Sequence, residues 1–531
     1  MRDFELPGRS PAMSREAMAA TSHPLATMAA LDVLRAGGKA IDAAVAACAV
    51  QCVVEPGSTG IGGDCFALLS AEGSTDVKAF NGSGRAPAAA TVEWYEKAGI
   101  AAIERQSPHA VTVPGAVDAW SQLVGAHGRM SLKEILQPAI KLAREGYVLA
   151  PRVAYDLAAQ RDILRRDANT AATFLVDGEA PAAGTVQKQP KLAETLEIIG
   201  REGADAFYRG SLTDGMVSYL RDRGGLHTRE DFESAAGEYV TPISTTFRGR
   251  TVYECPPNGQ GIIALMIMKI LERFKPSGDP LDPANLHIEI EATRLAYAAR
   301  DSYLADPAKA GVPVEELLSD RLADTLASRI DPSKATVPVA PIEVGAEHSD
   351  TVYLCVVDKD RNAVSFINSI FHPYGSALMT PDSGVLFQNR AQGFVLKPGH
   401  PNAIAPRKRP LHTIIPGMVA EKGRVVMPFG VMGGQYQAMG HAHFLSKLFD
   451  HGLDLQEAMD LPRLFPLPGT ATVETEGRLR ASAGAELERR GFKIEPPKSP
   501  IGGAQAIWID WEKGTLTGGS DPRKDGCALG L

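Results

Sequence analysis

Thr351 opens the run Thr351-Val-Tyr-Leu-Cys-Val-Val-Asp358, directly after the polar stretch His348-Ser349-Asp350. The pattern predicts a buried strand whose first residue would become a new N-terminus if the bond between Asp350 and Thr351 were cut. A threonine released in this way carries a hydroxyl nucleophile and its own base, the free α-amine, which is one established route to activating a weak alcohol. On local sequence alone the simpler reading is a strand threonine, because Thr is a common strand former.

The rest of the chain bounds what such a nucleophile could act on. The protein has 531 residues, 44% of them hydrophobic and 22% charged, with a net charge of −8. These are values of a globular protein, and the length is that of two or three domain-sized units. An acidic chain lacks the basic surface that phosphate backbones require, so nucleic acid is not expected as a partner and small molecules are. The opening Met1-Arg-Asp-Phe-Glu-Leu-Pro carries charges and a proline where a secretory signal needs an apolar run, so the expectation is a cytoplasmic protein. Ala43 to Val54 is apolar but stops at Glu55-Pro56, too short for a membrane span.

Six cysteines are scattered without a C-x-x-C pair, which predicts neither a zinc site nor a disulfide scaffold. His441 and His443 could offer two metal ligands, but no H-E-x-x-H pattern or nearby carboxylate completes a set, and no cofactor is expected.

Several elements would have to position Thr351. Pro24 to Ala36 has helical spacing and stops at Gly37-Gly38, and Lys39 to Val54 continues as an alanine-rich helix apolar on most sides, which predicts burial between layers. Gly57-Ser-Thr-Gly-Ile-Gly-Gly63 leads into the strand Cys65 to Ser70; a phosphate-binding loop would lie between a strand and a helix, so the dinucleotide reading fails. Residues 115–330 read as mainly helical, interrupted by strands from about Tyr239 to Cys255 and by the turn Pro256-Pro-Asn-Gly-Gln260. The proline-bearing stretch 331–350 reads as a loose, accessible approach to Thr351. Beyond it the pattern predicts strands at 351–357, 363–370, 384–387, 416–420 and 425–430, then helices at 435–449 and 455–460.

Taken in order, Ser22-His-Pro-Leu-Ala-Thr27, Leu34-Arg-Ala-Gly-Gly-Lys-Ala-Ile-Asp-Ala-Ala44, Val54-Glu-Pro-Gly-Ser-Thr-Gly-Ile-Gly-Gly63, Thr351 with Val356-Val-Asp358, Lys408-Arg-Pro-Leu411, Met432-Gly-Gly434 and Gly519-Ser-Asp-Pro-Arg523 resemble the γ-glutamyltransferase family of N-terminal nucleophile hydrolases. The likeness covers nearly the whole chain. It implies an α+β fold, a four-layer αββα sandwich with the nucleophile on a central strand. It also implies a precursor cut between Asp350 and Thr351 into a large fragment, 1–350, and a small one, 351–531. These would remain together as a heterodimer, possibly as a dimer of such pairs. A threonine hydroxyl can attack its own preceding carbonyl and form an ester that water opens, which requires no cofactor.

The resemblance assigns roles residue by residue. Thr351 matches the nucleophile, its α-amine acting as base and then as acid. Ser369 falls where the family usually has a second threonine that hydrogen-bonds the nucleophile; taken alone it reads as an ordinary strand serine. Gly433 and Gly434 match a glycine pair whose backbone N–H groups face the developing oxyanion, an arrangement commonly worth about 3–4 kcal/mol of barrier.

The binding pocket departs from the family. Its carboxylate-gripping arginine lies in a segment that here reads Asn81-Gly-Ser-Gly-Arg-Ala-Pro87, and Arg85, two residues later than usual, is the candidate clamp. The family's acidic partner for a substrate ammonium corresponds to Gly393, with no carboxylate nearby, and a donor-binding glutamine corresponds to Arg390. Phe371 replaces an asparagine, and His412-Thr413 replace a serine pair. A lost anion and a gained cation favour carboxylates without an α-amine, because a buried, unpaired ammonium is costly and an arginine fork suits a carboxylate. The alternative for Arg390 is that it is solvated, or paired with a structural acid such as Asp382. Lys408-Arg-Pro-Leu-His-Thr-Ile-Ile-Pro416 and Gly518 to Gly526 resemble the branch containing oxamate amidohydrolase. The expectation is therefore a self-processing amidohydrolase acting on a small carboxylate amide, foremost oxamate to oxalate and ammonia. A γ-glutamyl hydrolase or transferase, a glutaryl acylase of the cephalosporin type, and a processed but inactive binding protein are the rivals.

Overall fold

The computed structural model describes residue 5, residues 8–336 and residues 351–531. The 331–350 approach to Thr351, Asp350 included, thus lies outside the described residues from position 337 onward.

Two seven-stranded sheets form the centre. One is ordered Ala12–Ser14, Thr515–Ser520, Gly503–Asp510, Arg424–Met432, Gly417–Glu421, Arg250–Glu254, Ile243–Phe247. The other runs Cys527–Gly530, Met18–Thr21, Val352–Val357, Ala363–Ser369, Asp64–Ser70, Lys78–Gly82, Glu238–Val240. Each sheet takes strands from both sides of the 350/351 junction.

Alternation along the strands explains the layering. Tyr353, Cys355 and Val357 join Phe66, Leu68, Ile367, Met418, Val425 and Ile507 in a core between the sheets. Leu354, Val356, Val364 and Phe366 face the other way, into a core built on the helix Ala40–Val54. Successive strand residues point to opposite faces, so a strand covered on both reads as an unbroken apolar run, and Val352–Val357 is buried throughout. The helix Ala40–Val54 has no exposed residue, as its all-round apolar character predicts. On the far side, the helices Gly261–Leu271, Pro283–Tyr303 and Gln437–Phe449 pack a third core against the first sheet. The result is the four-layer αββα sandwich.

Most sequence-predicted elements match closely, among them the helices Pro24–Arg35, Gln437–Phe449 and Leu455–Asp460. The strand expected at 384–387 does not form. Gly384 turns with φ of 64°, and Leu386 and Phe387 make only isolated bridges, to Met379 and Gly62. That segment wraps over the Gly57–Gly63 loop, whose tight approach excludes side chains: a Cβ on Gly62 would lie 2.3 Å from the Leu386 carbonyl oxygen, and one on Gly63 2.3 Å from that of Ser369. Among the described residues no helix is long and apolar enough to cross a membrane, and all six cysteines are free.

Candidate active site

Parity and register place Thr351. Thr351 has the parity of Tyr353 and Cys355, Ser369 that of Ile367, and Asp64 that of Phe66, so all three side chains project into the gap between the sheets. Ser369 lies directly across from Asp64 in the ladder. The strand Ala363–Ser369 ends where Asp64–Ser70 begins, and the site occupies that end of the gap.

Thr351 is fully buried, and its Oγ1 lies 3.2 Å from Ser369 Oγ. Ser369 Oγ also accepts from the Phe371 backbone N–H at 3.0 Å and from Arg390 Nη2 at 3.2 Å. Two donors fill both lone pairs of the serine oxygen, so its own proton is directed at Thr351 Oγ1. The threonine proton is then not spent on Ser369. Phe371 holds φ of 81°, a left-handed conformation that is strained for an aromatic residue. The bond to Ser369 anchors it there.

Arg390 is fully buried, donates from Nη1 to Thr413 Oγ1 at 2.9 Å, and stacks over the Phe371 ring at 4.3 Å. Among the described residues no carboxylate lies within ion-pair distance of it, Asp382 included, and its Nε has no hydrogen-bond partner. Burial pushes the guanidinium down to about 9, opposed by the charge of Asp64, so it remains a cation at neutral pH. A desolvated guanidinium two hydrogen bonds from the Thr351 hydroxyl, through one serine oxygen, is suited to hold an anion beside it.

The other expected residues fall into two groups. Thr413 joins the cluster. His412 is fully buried but turns to Asp64, its Nε2 donating to Oδ2 at 3.0 Å while Nδ1 accepts from the Ile414 N–H at 3.4 Å. Burial and the Arg390 charge lower its pKa to about 4, against the pull of Asp64, so it is a neutral imidazole. Arg85 is held elsewhere: it lies 3.7 Å from Asp306 and 3.8 Å from Glu238, donates to the Arg407 carbonyl, and has no described contact with Thr351, Ser369 or Arg390. The geometry therefore separates the two arginines and, among the described residues, leaves Arg390 as the one linked to Thr351 through Ser369.

Gly433 has φ of 116° and Gly434 φ of 54°, both conformations that favour glycine, and the Gly433 position would bring a Cβ to 2.9 Å from Gly502. The pair follows the strand Arg424–Met432 of the facing sheet. Sequence reading missed the residue that ties it to the cluster. Gln260 donates through Nε2 to the carbonyls of Thr413 at 2.8 Å and Gly434 at 3.0 Å. Its backbone N–H also donates to the His412 carbonyl at 2.9 Å. The only signal was its place at the end of the Pro256–Gln260 turn.

His441 and His443 are committed to separate acids, with Nδ1 of each 2.6 Å from Glu254 and 2.7 Å from Glu289 respectively. Among the described residues no group of three potential ligands could hold a metal ion.

Residues 26–531 match the family model described as Gamma-glutamyltranspeptidase. The chain is 37% identical over 527 residues to a protein of Bacillus subtilis named glutathione hydrolase-like YwrD proenzyme, covering 97% of this chain and 98% of that one. It is 35% identical over 532 residues to the oxamate amidohydrolase proenzyme of Klebsiella pneumoniae, covering 98% and 99%. Among solved structures, the cephalosporin acylase from Bacillus halodurans superposes with a TM-score of 0.93 at 38% identity, covering 100% of this chain and 99% of that one.

Proposed function

The chain belongs to the gamma-glutamyltranspeptidase family, with the fold of the N-terminal nucleophile hydrolases, and from that premise we propose that it hydrolyses the amide of a short carboxylate without an α-amine, foremost oxamate. The broader activity is that of the family: amide hydrolysis or transfer by a protein made as a proenzyme. In the proposed maturation the Thr351 hydroxyl adds to the preceding carbonyl, the C–N bond breaks as an ester forms, which frees the α-amine, and water opens the ester to release the Asp350 carboxylate and return the Thr351 hydroxyl. In turnover that amine takes the Oγ1 proton as the oxygen attacks the substrate amide. The N–H groups of Gly433 and Gly434 receive the oxyanion, and the amine returns the proton to departing ammonia. Water then hydrolyses the acyl ester.

The observation that carries the substrate assignment is the position of Arg390. Its Nη2 and the nucleophile share the Ser369 oxygen through two 3.2 Å links. An acid recognised so close to the attacked carbonyl is best one whose carboxylate is a single C–C bond, about 1.5 Å, from it. Oxamate has that geometry; glutaryl and γ-glutamyl amides carry the carboxylate several bonds farther away. The name of the B. subtilis relative favours γ-glutamyl donors as a second reading. Such a donor would bring an ammonium to a site where the described acid Asp64 already accepts four hydrogen bonds.

The test is ammonia or amine release from purified protein over oxamate, a glutaryl amide and a γ-glutamyl amide. Oxamate is expected to give the highest kcat/KM, and Arg390→Gln to raise its KM by about 1–3 kcal/mol, between about fivefold and about 150-fold. Faster turnover of the γ-glutamyl amide, or an unchanged KM in Arg390→Gln, would overturn the assignment.

A further inference from the structure

Asp64 lies between the glycine loop and its strand, and nothing in the sequence marks it for chemistry. Its buried carboxylate accepts four hydrogen bonds: at Oδ1 from the N–H groups of Gly84 at 2.9 Å and Gly115 at 3.2 Å and from Gln388 Nε2 at 3.0 Å, and at Oδ2 from His412 Nε2 at 3.0 Å. Three attachments of this residue lead to one side chain. Gln388 is two residues before Arg390; His412 precedes Thr413, which accepts from Arg390 Nη1; and Ser369, across the ladder from Asp64, accepts from Nη2.

A buried guanidinium with no counter-charge is costly, and one in direct contact with a carboxylate has its fork occupied. Asp64 resolves this conflict. Its four hydrogen-bond partners are uncharged, neutral imidazole included, so its charge is not cancelled locally. That charge acts on Arg390 from the next layer, in the direction that keeps the guanidinium protonated.

We propose that Asp64 is a positioning residue of the anion site, a counter-charge one layer removed that holds Arg390 aimed at the nucleophile while leaving its fork for the substrate carboxylate. The assignment rests on the reading of Arg390 as the carboxylate-binding group. It predicts that Asp64 and Arg390 act as one unit, although no ion pair joins them.

A double-mutant cycle tests it with two independent readouts. Mature wild type, Asp64→Asn, Arg390→Gln and the double variant are compared by thermal unfolding midpoint, which needs no substrate, and by kcat and KM for whichever amide the wild type turns over. Asp64→Asn is expected to lower the midpoint and to raise KM at least about tenfold with a smaller change in kcat. In the Arg390→Gln background the same substitution should lower the midpoint less, by the share its hydrogen bonds to Gly84, Gly115, Gln388 and His412 carry alone, and should leave KM nearly unchanged. Equal losses in both backgrounds would assign Asp64 to the Gly84 and Gly115 turns alone and overturn the proposal. If Asp64→Asn does not accumulate as folded protein, Arg390→Gln in the same chain should restore it, and failure to do so would also overturn it. A wild type that prefers γ-glutamyl donors refutes the substrate reading separately, because the cycle on the unfolding midpoint is unaffected by which amide is used.

Discussion

Replacing Ser369 with alanine removes one oxygen that serves three partners. The Phe371 N–H and Arg390 Nη2 lose their acceptor inside a fully buried site, and Thr351 Oγ1 loses the donor 3.2 Å away. A buried donor left unsatisfied costs about 1–3 kcal/mol, and more when charged, so the two together should lower stability by about 3–5 kcal/mol. The catalytic effect is separate. A hydrogen bond that aims the nucleophile's lone pair, with an ionised arginine behind it, is worth about 1.5–3 kcal/mol, so kcat should fall between about tenfold and about 150-fold. Because one hydroxyl is proposed to serve both reactions, cleavage before Thr351 should slow in parallel. The assay is a time course on a denaturing gel together with steady-state ammonia release, with urea unfolding as the control. Ser369→Thr keeps the hydroxyl and should recover most of both rates. A Ser369→Ala protein that is destabilised yet cuts and turns over within twofold of wild type would show that Ser369 is a strand serine only, and the proton assignment at Thr351 would be wrong.

Thr351→Ala should leave a single chain of 56.4 kDa with no activity, and two fragments on a denaturing gel would refute self-processing by this hydroxyl. Gln260→Ala removes two neutral hydrogen bonds to the carbonyls of Thr413 and Gly434, each worth about 0.5–1.5 kcal/mol, and a longer one at 3.4 Å from the buried Arg300 Nη1, and should lower kcat about tenfold with little change in KM if Gly434 lines the oxyanion site. The buried Glu289 is itself pushed up by desolvation, yet Lys447 and His443 pull it below its ordinary value to about 2. A depressed carboxylate contributes stability that is present above its unfolded pKa of about 4.3 and is lost as pH falls through the folded value. Glu289→Gln should therefore destabilise the protein at pH 7 and flatten the acid side of its stability profile between about pH 4 and pH 2; a profile parallel to wild type would refute the linkage.

Much of this protein is legible in residue order. Unbroken apolar runs flanked by turns announce strands covered on both faces, and the alanine-rich stretch before Glu55 announces a helix with no solvent face, because burial on all sides leaves no polar positions to interrupt the pattern. Thr351, Ser369, the Gly433-Gly434 pair and Arg390 are named through the resemblance to the family, since taken alone the serine reads as a strand residue and the glycine pair as a turn. What order could not decide is which charges meet. Arg85 and Arg390 are equivalent as sequence, yet one lies against Asp306 and Glu238 and the other has no acid in contact among the described residues. Asp64 carries no local signal, and Gln260 only its place at the end of a turn. Their roles arise where the ends of strands from two sheets and three loops converge, and segments as far apart as 64, 260, 369, 390 and 412 are brought within hydrogen-bonding reach only by the closing of the sandwich.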